Sequence, residues 1–200
     1  PRQALYPHNV GLAYYHRRSL RRAIVSFRQA IEMNPAHANA HYHMGLCHLE
    51  LQEYARAIAA LDQAIARFES AEPAPAEQPA AAYLARGLAH FRLGSYDPAI
   101  QDFERVHTVI SRSRLGATVP VGRAAYRLDR FGFAPSPVPQ DAMASEQLGE
   151  VYAAQGRHEE AVQQYNDALR LGHGDYTEAY THRGHALAAL KRHHDAILDY

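Results

Sequence analysis

Small and apolar residues recur at helical spacing along residues 4–37. Numbered from Ala4 as position 1, Gly11 stands at position 8, Tyr14 at 11, Ala23 at 20, Phe27 at 24, Ala30 at 27 and Pro35 at 32. The pattern predicts a helical hairpin: a first helix to about Arg17, a bend through Arg18 and Ser19, and a second helix stopped at Pro35. Proline ends it because it lacks the amide donor and clashes with the preceding turn. Gly11, Ala23 and Ala30 are small enough for two helix backbones to approach, and Tyr14 and Phe27 fill the space that remains.

The same frame returns at Ala38, Ala80, Ala142 and Thr177. Position 8 is then Gly45, Gly87, Gly149 and Gly184, and position 20 is Ala57, Ala99, Ala161 and Ala196. Position 24 carries Leu61, Phe103, Tyr165 and Tyr200. This five-fold recurrence resembles the tetratricopeptide repeat, a helix-turn-helix unit of 34 residues. The resemblance implies an all-α fold, an α-α superhelix in which antiparallel helix pairs stack as a right-handed solenoid. Each pair buries its apolar face only against neighbours, so residues 1–200 are expected to form one array rather than separate domains.

The expected repeats are 4–37, 38–71, 80–113, 142–175 and 177–200, the last truncated. In the first, Pro7 replaces a large residue, so the helix is expected to begin near it. In the second, Glu69 stands where the terminating proline would be, and the helix can run to about Ser70. Residues 72–79 hold three prolines and read as a stiff extended connector. In the third, Asp97-Pro98 opens the second helix, which is expected to end near Arg112. Residues 114–141 fit no repeat and are broken by glycine and proline, with room only for a turn or two of helix at 123–130. Their apolar residues are too many for a solvated linker, so part of the segment is expected to pack on the solenoid, with Arg123, Arg127 and Arg130 near Glu146 and Glu150. Pro1 is not an initiator methionine and Tyr200 falls inside a predicted helix, so the sequence reads as a segment of a longer protein.

Charge narrows the function. Lys+Arg and Asp+Glu both number 21, which makes nucleic acid an unfavourable partner because a binder of phosphate backbones normally carries a basic excess. No apolar run approaches a membrane span, and no signal-peptide pattern opens the chain. Cys47 is the only cysteine, so no intrachain disulfide forms and a reducing, intracellular (cytoplasmic) setting is expected.

Chemistry is sparse. Glu178, His182 and His185 fall at i, i+4 and i+7 and offer zinc-type donors. The plainer reading makes them polar groups on a solvated wall, and no metal or cofactor is assigned. His48 and His90 occupy position 11, a packing position. No nucleophile elbow, P-loop or dinucleotide glycine pattern occurs, and the chain is expected not to be an enzyme. Arg17, Arg18, Arg21 and Arg22 cluster at the first bend, as a solvated loop or a dock for an acidic partner.

In the family it resembles, positions 2, 5, 9, 12 and 13 of the first helices line a concave, peptide-binding groove. Carried over, the groove would hold Tyr15, His16, Tyr42, Leu46, Leu49, Leu84, Leu88 and Phe91 as an apolar and aromatic wall. It would turn acidic at Glu146 and Glu150, unless the apolar members pack on neighbouring helices instead. The carboxylate clamp of the subtype that binds chaperone C-termini has no counterpart, since those positions carry His8, Leu12, His43, Ala81 and Ala85. The expectation is a non-catalytic protein–protein interaction scaffold that binds a partner peptide or helix in the groove. The alternative is the targeting or regulatory arm of a larger enzyme or complex.

Overall fold

The computed structural model describes residues 2–70, 77–116, 125–129, 132–136, 138–172 and 176–200, with side chains at 4–70, 78–112, 138–172 and 176–200. Ten helices occur among the described residues. Five are first helices: α1 (Arg2–His16), α3 (Ala38–Glu50), α5 (Glu77–Arg92), α7 (Gln140–Ala154) and α9 (Thr177–Ala189). Each is followed by its antiparallel mate: α2 (Leu20–Met33), α4 (Tyr54–Ser70), α6 (Tyr96–Gly116), α8 (His158–Leu171) and α10 (His193–Asp199). The pairs stack in chain order, each second helix packing on the next first helix, which makes an α-α solenoid.

The crossing point of each pair explains the glycine and aromatic spacing. A Cβ on Gly11 would come within 2.5 Å of the Phe27 ring, and one on Gly149 within 2.5 Å of the Tyr165 ring. The glycine is therefore the floor on which the position-24 side chain lies. Gly45 with Leu61, Gly87 with Phe103 and Gly184 with Tyr200 repeat the arrangement. Ala23, Ala57, Ala99 and Ala161 have no exposed surface, so the second helix presses its small face fully against its neighbours.

The bends are also copies of one another. Position 15 has positive φ in all five: Arg18, Gln52, Gly94, Gly156 and Lys191, at 60° to 75°. The amide one residue later donates back to the position-11 carbonyl, as Ser19 does to Tyr14 and Arg157 to Tyr152, each at 2.9 Å. This is the Schellman closure, which satisfies carbonyls that the helix end would leave open.

Four expectations change. The first helix begins at Arg2, and Pro7 lies inside it; so near the end, its missing donor costs one hydrogen bond, to the Gln3 carbonyl. α5 begins at Glu77, so the expected connector loses its last three residues to a helix whose first turn accepts Pro79; residues 71–76 lie outside the described residues. α6 runs four residues past Arg112 to Gly116. The 114–141 segment is not wholly irregular, and residues 125–129 are strand rather than helix. It contains an antiparallel hairpin, β1 (Ala125–Asp129) with β2 (Gly132–Ser136), in register Ala125↔Ser136 to Asp129↔Gly132. A helix of two turns would carry its nucleation cost for few bonds, whereas five facing residue pairs satisfy the backbone across the ladder. β1 lies against α7, so the segment does contact the solenoid. Arg123 and Arg130, and the side chain of Arg127, lie outside the described residues.

Candidate functional site

The first helices touch not only their mates but also each other, α1 with α3, α3 with α5, α5 with α7 and α7 with α9. That places them side by side as one wall, the wall to which the sequence assigns a groove. Its residues differ in accessibility. Tyr15, Tyr42, Leu46, Leu49, Leu84 and Glu146 are buried among neighbouring helices, because positions 5, 9 and 12 also face the adjacent first helix. His16 is exposed, and Leu88, Phe91 and Glu150 are half-buried. Phe91 keeps a guanidinium over its ring, with Arg92 Cζ 5.8 Å from the centroid.

Two polar constellations hold this wall. At the repeat 1–2 joint, Glu50 accepts from Tyr15 Oη at one oxygen and from Arg18 at the other. Burial, then the Glu50 carboxylate, raises the Tyr15 phenol above its ordinary value. Arg18 of the basic bend is thus satisfied within the chain, and Arg22 lies 5.8 Å over the Tyr14 ring.

The second constellation joins repeats 4 and 5. Glu146 and Glu150 are one turn apart on α7. His182 reaches them from α9, its Nδ1 3.1 Å from Glu146 Oε1 and 3.5 Å from Glu150 Oε1. Tyr176 Oη donates to the second oxygen of Glu146, and the Tyr165 ring packs 5.9 Å from the imidazole. Burial first, then the Glu146 charge, raises the Glu150 carboxyl; the Glu146 carboxylate above all raises the His182 imidazole. His182 is therefore half-buried rather than on a solvated wall. Its expected companion His185 is exposed and lies tilted against the Tyr200 ring, 5.7 Å between centroids, instead. Sequence reasoning placed Glu146, Glu150 and His182 on neighbouring helices without joining them, and missed Tyr176, which precedes the frame of repeat 5.

Other candidates resolve into packing. Cys47 has no exposed surface, and burial pushes its thiol up to about 12. His48 is buried with Nδ1 2.7 Å from Glu53 Oε2. Ser145 Oγ lies 3.3 Å from His107 Nε2, and Ser145 is 1% exposed.

The tetratricopeptide repeat profile matches residues 11–75, 54–108 and 123–176, well over half of the chain. The chain belongs to the tetratricopeptide repeat family. Solved structures agree on the fold. MamA 41-end from Desulfovibrio magneticus RS-1 is 16% identical with a TM-score of 0.72, covering 100% of this chain and 92% of that one. PilF of Pseudomonas aeruginosa is 18% identical with a TM-score of 0.71, covering 98% and 73%. YrrB, described as a TPR protein with an unusual peptide-binding site, is 17% identical with a TM-score of 0.64, covering 98% and 82%. A comparison with curated protein sequences finds no match. The family and fold are those of a protein–protein interaction scaffold, and such repeats are generally non-catalytic. Among the described residues, no helix is long and apolar enough to cross a membrane.

Proposed function

We propose that the chain is a non-catalytic scaffold that binds a partner peptide or helix along the wall formed by its first helices. The observation that carries this reading is the side-by-side row of α1, α3 and α5, on which Leu12, Leu88 and Phe91 stay partly exposed while their neighbours are sealed. Partly exposed apolar anchors in a concave surface are where interface energy concentrates. YrrB, which shares the fold, is described as having a peptide-binding site, which supports a peptide as the class of partner. Tyr15, Tyr42, Leu46, Leu49 and Leu84 then shape the floor, and His16, Leu88, Phe91 and Glu150 make the contact. Glu146 sets the orientation of the acidic end.

A random peptide-display selection against the folded chain tests this. Enriched peptides should lose binding to Phe91→Glu and Leu88→Glu variants and keep it toward Val25→Glu, which alters an exposed residue of a second helix. Peptides lost with Val25→Glu but retained by both α5 variants would show that another surface binds.

A further inference from the structure

Glu146, Glu150 and His182 present one donor atom each, and these atoms all lie within 4.8 Å of one another. Three observations separate this cluster from an ordinary ion pair. The Glu146 side chain is only 10% exposed, yet a second carboxylate stands one turn away. Two acids held together with little water are unfavourable unless they share a cation or a proton. Nδ1 of His182 is shut off from solvent and lies 3.1 Å from a Glu146 oxygen and 3.5 Å from a Glu150 oxygen. One imidazole nitrogen thus faces both acids at once. Finally, Tyr176 Oη occupies the other oxygen of Glu146. That is how an outer-shell partner fixes the orientation of a metal-binding carboxylate.

We propose that Glu146, Glu150 and His182 bind one divalent transition-metal ion, with zinc as the representative, across the joint between repeats 4 and 5. One imidazole nitrogen with two carboxylate oxygens is a mixed donor set. It suits zinc, manganese or iron, whereas magnesium and calcium take sites built of oxygen alone. Metal–ligand distances of about 2.0–2.2 Å require the three donors to close by roughly an ångström, within reach of side-chain rotation. A tetrahedral ion would have three protein ligands and one further position, which water or a partner's donor can fill. Because α7 supplies two ligands and α9 the third, the ion would tie one repeat to the next. Glu146 and Glu150 are also the acidic end of the proposed groove, but the ion is titrated without any peptide, so the two proposals fail separately.

The test is calorimetric titration of the chelator-treated 200-residue chain with Zn²⁺, with Mg²⁺ as the competing probe. The chain has 14 histidines, so weak scattered binding is expected and variants decide the matter. One ion per chain should bind in the micromolar range or tighter and resist millimolar Mg²⁺. The affinity should fall at least tenfold in Glu150→Gln and in His182→Gln, and by 10–100-fold in Tyr176→Phe. The double variant His193→Gln/His194→Gln, altered at two exposed residues, should retain it. Circular dichroism verifies folding; if His182→Gln does not fold, the isosteric change at half-buried Glu150 decides alone. No binding tighter than millimolar, or less than tenfold weakening in the folded acid and imidazole variants, overturns the proposal.

Discussion

Arg86 holds Asp102 in a two-bond fork, Nε to Oδ2 at 2.9 Å and Nη2 to Oδ1 at 2.6 Å, and its remaining nitrogen reaches Asp62 of the preceding repeat at 2.6 Å. Arg183 does the same with Asp199 and with Asn166 at 2.6 Å. Both arginines are at position 7, both forked aspartates at 23, and both outside acceptors at 25 of the previous frame. Each clasp therefore closes one hairpin and pins it to its predecessor. Asp102 is nearly sealed, so removing its partner leaves a buried charge. Arg86→Met should cost about 3–5 kcal/mol, and Arg86→Lys, which keeps the charge but not the fork, less. Urea titrations of the two variants measure the difference.

The bends give a second prediction. Gln52 adopts φ 60° where repeats 3 and 4 use Gly94 and Gly156. A side chain in the left-handed region costs about 1–2 kcal/mol, against about 0.5–1 kcal/mol for the extra freedom glycine loses on folding. Gln52→Gly should therefore stabilise by up to about 1 kcal/mol, and Gly156→Ala should destabilise by a similar amount. Denaturation midpoints that move the other way would show that the bend relaxes around its side chain.

Packing gives a third. Ala161 has no exposed surface where α8 crosses α7, so Ala161→Leu should overpack repeat 4 by about 1–3 kcal/mol. In a near one-dimensional array the loss stays local. Amide exchange should quicken in α7–α10 and hold in α1 and α2.

The N-terminal histidines predict acid sensitivity. His8, His37, His41 and His43 are all held below the usual imidazole value, chiefly by burial, with His43 down to about 4. His43 Nδ1 lies 2.6 Å from the Asn39 carbonyl, to which it donates, and 3.2 Å from His8 Nε2; burial, against the pull of that carbonyl, keeps the ring neutral. Unfolded histidine titrates near ~6.5. Because the folded values are lower, the stability these residues contribute is complete above that pH and is lost as pH falls toward 4. His43 alone should remove about 2 kcal/mol between pH 7.5 and pH 5. Urea midpoints at the two pH values check this, and His43→Leu should flatten the difference.

What was legible in the chain is what a single repeat decides by itself. Gly11 and Phe27 must meet within one hairpin, so their spacing in sequence is their spacing in space, and five copies make the pattern plain. Contacts between repeats are harder to read, since they depend on how one hairpin sits on the next. His182 at position 6 meets Glu146 and Glu150 at positions 5 and 9 only after stacking. The clasps left a readable trace that went unread: arginine at 7 and aspartate at 23 occur together in repeats 3 and 5. The hairpin of 125–136 lay inside a segment with no periodic frame, where the alternation of Tyr126 and Leu128 was too short to outweigh the surrounding breakers.

The central claim, binding along the first helices, is tested most directly by hydrogen exchange of the chain with and without a saturating display-selected peptide. New protection should concentrate in α1, α3 and α5, around His16, Leu88 and Phe91, with the outer faces of α2, α4 and α6 unchanged. Protection confined to α2, α4 and α6, with α3 and α5 exchanging as in the free chain, would contradict it.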